Sequence, residues 1–491
     1  MAVFTDKVMR PTWKNFFTGW TVIVILLLLG GKAPAVDAEN LSAGFLFDRF
    51  KLTLEDGWRT EAAGPFFYSE QKESEETLAV PPLFSNYKSP GIHHSEFDLL
   101  YPLLTYEHYA DEWRWQLWQL LSFAGGRQPD DFQTHRFTLF PIYFQQRSLD
   151  TNLEYTALMP VYGHLKNRLF RDEIFFVMFP VFGESRKRDV VTDNYFYPIG
   201  HVRHGDGLHG WQVWPVAGSE HKEVTTQTNG FGDIATNGGH DTSFFLWPFW
   251  ISQDTGLGTD NPEKFRASIP AFAVTRSPQR DATSVLWPLF TWIDERGKKY
   301  REWQGPWPFV IFTRGEGKTT DRVWPLFSQS HNDTTESDSY LWPIYQFKWL
   351  HSGPLDRRST RIAFYLYVGI TEKNTETGVF KQRRDMWPFF ISRRDFNGNY
   401  RLQILAPIEA ILGHNRGIER NWSPLWSLWR AEDNPKTGTA SRSLLWNLYR
   451  GETGPGHKKT SLLFGLFQYQ RDGGNARTRW FYFPASQTRK K

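Results

Sequence analysis

The sequence predicts an all-β fold built from tandem single-strand repeats, and three observations support this. A pattern of apolar, aromatic, proline, apolar and aromatic residues recurs at intervals of roughly 17 to 23 residues, as in Leu286–Phe290, Val323–Phe327 and Leu341–Tyr345. Turn-forming residues separate the copies, and aromatic residues make up 17% of the 491-residue chain. We expect a long antiparallel meander of about 20 or more strands that closes into a β-barrel.

Each repeat is interpreted as one strand of about ten residues followed by a turn of about eight. Segments such as Asp294–Lys298 and Asp395–Gly398 contain Gly, Asn and Asp, which supply the positive φ of hairpin turns. These breaks arrive too often for the 3.6-residue stripe of an amphipathic helix to develop. A propeller repeats every four strands and a solenoid coil is usually more uniform in length, so both are disfavoured.

Residues 1–38 have the features of a secretory signal peptide. Three basic residues precede an apolar run over residues 16–29, and small residues suit cleavage after Ala35 or Ala38. An uncleaved anchor is the alternative, although the run is short for a spanning helix. No other stretch approaches about 18 consecutive apolar residues, which excludes a polytopic helical membrane protein.

The repeat divides the rest of the chain. Residues 39–61 carry no copy of it and are expected to form a lead-in segment, whereas residues 62–484 are expected to form the β-repeat barrel. The glycine-rich stretch 221–242 is interpreted as a loop insertion, and residues 485–491 as a basic C-terminal tail. Because the chain contains no Cys, it has no disulfide, no thiolate nucleophile and no lipid-modified cysteine.

Side chains of each predicted strand alternate between two faces. The apolar zone around Trp287-Pro288 spans about eight residues, or roughly 26 Å at about 3.3 Å each. That length is close to the apolar band of an outer-membrane barrel. However, both faces are apolar near the proline, and proline removes a ladder hydrogen bond. We therefore expect a bulge or bend at each Trp-Pro step.

The predicted signal peptide, the aromatic-rich strands, the polar turns and the lack of Cys resemble the bacterial outer-membrane β-barrel, or porin-like, class in architecture. The resemblance implies contact with membrane lipid or lipopolysaccharide and a role as a channel, a lipid-facing conduit or a scaffold for a partner protein. Barrels of this class often end in an aromatic residue, whereas here Pro484–Lys491 follow Trp480–Phe483. The alternative is a soluble exported β-repeat protein of the periplasm or cell surface that binds polysaccharide, lipid or protein.

No catalytic motif is recognisable, so we expect neither enzymatic activity nor a cofactor. His201, His204 and His209 are weak candidates for binding zinc, copper or nickel. His201 and His204 are three positions apart and should point to opposite faces of a strand, which weakens a shared site. The 57 basic and 53 acidic residues nearly balance, so no nucleic-acid partner is expected.

Overall fold

The computed structural model describes residues 44–127, 133–228, 234–481 and 483–484. Within this part of the chain the all-β prediction is confirmed. One antiparallel meander contains 43 strands, and two short strands, Thr225–Thr228 and Ile234–Asn237, form a separate two-stranded sheet. The predicted signal peptide, residues 1–38, and the predicted tail, residues 485–491, lie outside the described residues.

The first half of the chain forms strands β1 (Asp48–Lys51), β2 (Gly57–Ala62), β3 (Phe67–Lys72), β4 (Glu76–Val80), β5 (Phe84–Ser89), β6 (His94–Leu99), β7 (Leu104–Tyr109), β8 (Glu112–Leu117), β9 (Leu121–Arg127), β10 (Gln133–Leu139), β11 (Tyr143–Ser148), β12 (Tyr155–Leu158), β13 (Tyr162–Arg168), β14 (Arg171–Val177), β15 (Phe182–Lys187), β16 (Val190–Tyr195), β17 (Gly200–Gly205), β18 (Leu208–Val213), β19 (Ala217–Lys222), β20 (Thr225–Thr228), β21 (Ile234–Asn237) and β22 (Gly239–Phe245).

The second half forms strands β23 (Trp250–Leu257), β24 (Glu263–Ser268), β25 (Phe272–Arg276), β26 (Arg280–Val285), β27 (Phe290–Glu295), β28 (Tyr300–Gln304), β29 (Val310–Gly315), β30 (Thr319–Val323), β31 (Phe327–His331), β32 (Thr335–Tyr340), β33 (Tyr345–Ser352), β34 (Leu355–Ile362), β35 (Tyr367–Asn374), β36 (Phe380–Met386), β37 (Phe390–Arg394), β38 (Tyr400–Ile404), β39 (Trp429–Asn434), β40 (Thr439–Leu444), β41 (Tyr449–Gly454), β42 (His457–Leu462), β43 (Phe467–Asp472), β44 (Asn475–Trp480) and β45 (Phe483–Pro484). Two short helices, α1 (Arg416–Asn421) and α2 (Ser423–Trp426), lie between β38 and β39.

The repeat builds two strands rather than one, and each strand is shorter than predicted. The Leu286–Leu289 segment is a turn between β26 and β27, so the Trp-Pro step lies outside the strands. The Leu289 N–H donates to the Leu286 carbonyl at 2.8 Å. Pro288 follows a cis peptide bond at the third turn position, as in a type VI turn. Strands β1 to β44 are four to eight residues long, shorter than the ten residues predicted.

This placement explains how a sheet tolerates so many prolines. Proline has no N–H to donate, so in a central strand it would remove a ladder hydrogen bond. In the Leu286–Leu289 turn no N–H is needed at the proline position, because the N–H of the following residue makes the turn hydrogen bond. The turn therefore replaces the bulge that we predicted at the Trp-Pro step.

The two kinds of turn lie on opposite edges of the large sheet. Successive turns of an antiparallel meander alternate between edges. Within the described part of the large sheet, connections from an even-numbered strand to the next strand carry the aromatic-proline motif or a variant rich in apolar residues. We call the edge formed by these connections the aromatic edge. The other connections, such as Arg296–Lys299, are mostly polar and form the polar edge.

Cross-strand pairing keeps the two faces of the sheet distinct. Ser284 lies opposite Thr291, and Val285 lies opposite Phe290, so one face is polar and the other apolar at this hairpin. We call the face that carries Ser284 and Thr291 the inner face and the opposite face the outer face. Small inner-face side chains are buried, as in Ala157, Ala267, Ala273, Ala282, Ser284, Thr291 and Thr313. Large outer-face side chains are exposed, as in Tyr195, Trp211, Phe245, Trp250, Trp292 and Phe312.

The two ends of the large sheet meet through their inner faces. The Thr53 hydroxyl, just after β1, donates to the Ser441 hydroxyl of β40 at 2.7 Å. The Asn447 amide donates to Glu61 of β2 at 2.8 Å. Among the described residues no hydrogen-bonded strand pairing joins β1 to β44, so closure of a barrel by strand pairing stays a prediction.

Two of the predicted segments contain strands. Strand β1 and all of β2 except Ala62 lie within residues 39–61, the segment predicted to be a lead-in. The predicted loop insertion 221–242 includes the end of β19, the β20–β21 hairpin and the start of β22. β19 pairs directly with β22, so the hairpin is an excursion from an uninterrupted ladder.

Apolar packing on the inner face is local. Phe144, Tyr155, Leu165 and Phe176 form a buried cluster around Ala157 on strands β11 to β14. Gly163 lies opposite both Ala157 and Phe176 in the paired strands. A residue without a Cβ at position 163 lets the ring of Phe176 pass close to the backbone, so this glycine is a packing requirement of the cluster.

We predict that Gly163→Ala destabilises the protein. A Cβ at position 163 would lie 2.3 Å from the Ala157 Cβ and 2.5 Å from the Phe176 ring, so neighbours must move. The expected loss in free energy of unfolding is about 1–3 kcal/mol, measured by chemical denaturation. Gly91→Ala is the matched control, because a Cβ there meets no atom within 4 Å. Equal denaturation midpoints for the two variants would contradict the packing described for this cluster.

Candidate functional site

The turns of the aromatic edge are hydrogen-bonded to one another, so the ladder continues beyond the strands. The Trp247 N–H donates to the Pro215 carbonyl at 2.7 Å, and the Trp342 N–H donates to the Pro325 carbonyl at 2.7 Å. Each turn thereby satisfies backbone groups of the next turn. The edge is consequently an ordered surface, on which equivalent side chains of neighbouring turns lie side by side.

Aromatic rings form rows along this edge. The ring centroids of Phe309 and Trp324 are 5.6 Å apart, and those of Trp324 and Trp342 are 5.5 Å apart. Phe364 extends this row, 5.8 Å from Trp342. Such separations are those of favourable tilted or edge-to-face pairs. Trp324 and Trp342, which each precede a turn proline, are therefore in ring contact with each other and with an aromatic residue of the turn on either side.

The aromatic edge and the adjoining outer face form an exposed apolar surface. Leu286 and Leu289 are exposed in their turn, and Val285 and Trp292 are exposed beside it on the outer face. Monomeric soluble proteins rarely expose contiguous apolar patches larger than a few hundred Å². A surface that runs along so many turns is the most extended candidate for contact with an apolar environment.

The apolar surface has a limited height. On the outer face of β26 and β27, Val285, Phe290 and Trp292 lie near the turn, and Asp281 and Asp294 follow further along the strands. Four strand positions at about 3.3 Å each give roughly 13 Å, to which the turn adds a few ångströms. Beyond this height the outer face becomes charged.

A second candidate region is a charged layer where the inner faces of β1–β3 and β38–β42 meet. We call it the charged seam. Its members are Asp48, Arg59, Glu61, Glu70, Lys72, Arg401, Arg430, Glu432, Arg450, Glu452 and Lys459. Most of its ion pairs join residues two apart on one strand or opposite each other on neighbouring strands, as period-two alternation requires.

Arg59 is a buried cation of the charged seam that pairs with two carboxylates. Its guanidinium lies 2.7 Å from Glu61 and 3.0 Å from Glu70, and it covers the Tyr68 ring with 4.0 Å to the centroid. Burial alone would lower the pKa of Arg59, but Glu61 and Glu70 hold it above its ordinary value. Burial would raise the pKa of Glu70, and Arg59 overcomes this and lowers it.

Arg430 differs from Arg59 in its lack of a paired carboxylate within the described part of the charged seam. Among the residues that the structure describes, its side chain makes no ion pair or hydrogen bond. Burial, followed by repulsion from Arg59 and Arg401, lowers the pKa of Arg430 to about 10. The side chain is surrounded by protein yet keeps some accessible surface, because it lines internal cavities. An unpaired cation in this position costs stability.

Asp48 is an anion of the charged seam whose negative charge is only partly balanced by its cationic neighbours. Burial raises the pKa of its carboxyl group to about 6, although Arg450 and Lys459 act to lower it. The Arg450 guanidinium is directed elsewhere, 2.6 Å from Glu452 and 3.4 Å above the centre of the Phe50 ring. The carboxylate of Asp48 is therefore poorly compensated at neutral pH.

Helix α1 binds the inner face of β3–β6. The Tyr68 hydroxyl donates to the Arg420 carbonyl at 3.0 Å, and the Asn421 amide donates to Asp98 at 2.9 Å. Arg420 also pairs with Glu96, and with Asp98 at 3.0 Å. A cavity of about 300 Å³ lies between the helix and the charged seam, with Arg59, Glu70, Lys72, Arg401, Glu409, Glu419 and Arg430 in its lining.

The structure separates the three predicted metal ligands as alternation required. His201 lies opposite Gln212 on the inner face, where burial and then Arg203 lower its pKa. His204 lies opposite His209 on the outer face, and His209 lies opposite His221. His204 and His209 are thus cross-strand neighbours, while His201 is on the other side of the sheet.

Sequence reasoning missed the charged seam, although a signal for it exists. Arg59 and Glu61, Arg430 and Glu432, and Arg450 and Glu452 are pairs of opposite charge two residues apart. In a strand this spacing places both charges on one face. Opposite charges in solvent-exposed turns have no reason to lie two residues apart. A search for oppositely charged residues at this spacing would therefore have identified the inner-face strands that carry the charged seam.

No known protein-family model matches the chain, and no curated protein matches it in sequence. In the described part of the chain, no helix is long and apolar enough to cross a lipid bilayer. The geometry of the aromatic edge and the charged seam is therefore the basis for inferring function.

We predict opposite stability effects for two arginines of the charged seam. Arg430→Met should leave the free energy of unfolding unchanged or raise it by about 1 kcal/mol, because it removes an unpaired buried charge. Arg59→Met should lower it by about 3 kcal/mol, because Glu61 and Glu70 would remain buried without their partner. Denaturant unfolding of both variants at pH 7 measures the difference. A large loss of stability in Arg430→Met would contradict the unpaired state of that side chain.

Asp48→Asn should stabilise the protein in a pH-dependent manner. The folded-state pKa of about 6 exceeds the ordinary value of 3.8, so ionisation costs stability progressively between these pH values. The variant should therefore gain about 3 kcal/mol above pH 6 and nothing below about pH 3.8. Thermal melts from pH 3.5 to 7.5 test this. A gain that is independent of pH would show that burial of the charge is not its cause.

Proposed function

We propose that the protein is a non-enzymatic membrane protein whose aromatic edge inserts into one leaflet of a lipid bilayer. Its polar inner face would then border an aqueous channel or conduit, or provide a scaffold for a partner protein. The observation that carries this proposal is the continuous, exposed apolar surface of the aromatic edge and the adjoining outer face. The predicted signal peptide supports export, and the outer membrane is the proposed location.

The height of the apolar surface favours one leaflet over a complete crossing. A transmembrane β-strand needs about 9–11 residues, whereas β1 to β44 have four to eight. The hydrocarbon core is about 30 Å thick, so one leaflet is about 15 Å. The turn together with four strand positions matches that half thickness. Deeper insertion would bring Asp281 and Asp294 into the hydrocarbon, which is costly for charged groups.

Side-chain chemistry at the boundary of the apolar surface also fits a membrane. Tryptophan and tyrosine favour the interface between hydrocarbon and headgroups, and both are frequent at this edge. Outer-face cations such as Arg301, Arg314 and Arg358 lie on the polar side of the apolar surface. Guanidinium groups at that height are suited to phosphate groups of lipid or lipopolysaccharide.

The inner face supports a water-facing role. In the middle of the sheet it carries small or polar residues such as Ser185, Asn194, Ser328 and Ser337. Curvature toward this face brings the two ends of the sheet together at the charged seam. A sheet with an apolar outside and a polar inside has the polarity of a membrane pore wall.

A soluble exported protein that binds polysaccharide is the second candidate. The row from Phe309 through Trp324 and Trp342 to Phe364 offers adjacent aromatic rings, and such rings stack on sugar faces. This candidate places the same edge in contact with a glycan in water. It requires that the protein remain in the aqueous phase when lipid vesicles are offered.

The test is flotation of the purified full-length protein with lipid vesicles. We expect the wild type to float with the vesicles and Leu246→Asp/Phe249→Asp to bind at least about tenfold more weakly. Both side chains belong to an aromatic-edge turn and are 48% and 60% exposed. Burying each in hydrocarbon is worth about 1.5 kcal/mol or more, and an acidic replacement adds a penalty.

Leu169→Asp/Phe170→Asp is the matched control. It exchanges the same two residue types in a polar-edge turn, where they are 52% and 97% exposed. We expect this variant to float like the wild type. If both double variants lose flotation equally, or if the wild type stays in solution and binds soluble glycans instead, insertion of the aromatic edge is wrong.

A further inference from the structure

One side-chain cluster on the inner face has the geometry of a metal site. His94 and Glu96 lie two residues apart on β6, and Glu107 of β7 lies directly opposite Glu96. All three side chains therefore project from the same face. One donor atom from each residue lies within 4.8 Å of the others. This cluster is separate from the predicted histidines and from the aromatic edge.

The distances between the donor atoms suit a tetrahedral ion. His94 Nε2 lies 3.4 Å from Glu96 Oε1 and 3.6 Å from Glu107 Oε1. In a tetrahedral zinc site with bonds of about 2.1 Å, neighbouring ligand atoms are about 3.4 Å apart. Neither contact is a hydrogen bond. His94 Nε2 is buried and, among the described residues, has no hydrogen-bond partner.

The second oxygen of each carboxylate is already held by an arginine. Arg420 of α1 pairs with Glu96 Oε2, and Arg114 of β8 pairs with Glu107 Oε2 at 2.5 Å. Both Oε1 atoms are left directed toward His94. Partners that orient the ligands from outside the coordination sphere are a general property of metal sites.

The negative charges of Glu96 and Glu107 also favour a bound cation. Like charges directly opposite each other on neighbouring strands destabilise a sheet. Glu96, Glu107 and the nearby buried Asp98 face two arginines, Arg114 and Arg420, so one negative charge stays uncompensated when His94 is neutral. A divalent ion between the two Oε1 atoms and Nε2 would remove the repulsion.

The ring of His94 is held in place for such a role. It packs between Tyr87 and Tyr109, with centroid distances of 5.7 and 5.8 Å. A cavity of about 330 Å³ lined by Glu107, Tyr109 and Arg114 adjoins the cluster and gives a path for an ion. Fixed ring orientation and access from a cavity are both needed for a working site.

We propose that His94, Glu96 and Glu107 bind a divalent transition-metal ion of the zinc type. Imidazole nitrogen and carboxylate oxygen are ordinary zinc ligands, and three protein ligands leave a fourth position for water. The ion links β6 and β7 and, through Arg420, supports the docking of α1. This site does not depend on insertion of the aromatic edge into lipid.

The experiment is a titration of metal-stripped full-length protein with Zn²⁺, with bound metal counted by mass spectrometry. His94→Phe keeps the ring packing and removes the donor, and Glu107→Gln keeps an acceptor for Arg114. We expect each variant to lose one equivalent of zinc, with affinity at that site reduced on the order of 100-fold or more. Co²⁺ in the wild-type protein should give the absorption of a tetrahedral site, absent in both variants.

His108→Phe is the control, because His108 neighbours Glu107 but lies on the outer face. It should keep the full zinc stoichiometry, whatever the other histidines of the chain bind. If His94→Phe is poorly folded by circular dichroism, Glu107→Gln decides, since its side chain is 40% exposed and tolerates exchange. Unchanged zinc stoichiometry in Glu107→Gln overturns the proposal.

Discussion

Side-chain alternation across an uninterrupted antiparallel ladder is the constraint on which the rest of the structure depends. A slip of one residue in any hairpin would move every following side chain to the opposite face. The sheet contains 43 strands in the part of the chain that the structure describes, so each turn must return the chain in the correct register. The four-residue aromatic turns achieve this with a fixed hydrogen-bonded geometry, as at Leu286–Leu289. Uniform turns thereby maintain a polar inner face and an apolar outer face.

The charged seam lies where the two ends of the sheet meet. Buried ion pairs contribute little net stability, because desolvation offsets much of their attraction. Their pairing does favour the native register, since Arg59 would lose Glu70 in any arrangement that separates β2 from β3. Arg430 and Asp48 show that compensation is incomplete. The seam is therefore a costly region, and the hydrogen bonds from Thr53 to Ser441 and from Asn447 to Glu61 join the two ends across it.

The two edges of the sheet face different environments in the proposed orientation. The aromatic edge would lie in lipid, and the polar edge and the inner face would lie in water. The same repeat that sets the register also sets this division, because each repeat contributes one apolar turn and one mostly polar turn. Helix α1, which belongs to the long connection between β38 and β39 on the aromatic edge, turns inward and binds β3–β6 instead. It thereby also holds Glu96 in the proposed metal site.

The sequence by itself determined the all-β class, the antiparallel meander and the opposite faces of His201 and His204, because these follow from period-two patterning and short-range turn chemistry. It did not assign the Trp-Pro steps to turns, because a short apolar run is equally typical of a buried strand. Tertiary structure alone decided that Arg420 reaches Glu96, more than 300 residues away in the chain, and that the inner faces of both ends meet. Such contacts depend on the accumulated curvature of the whole sheet, and no local pattern encodes that curvature.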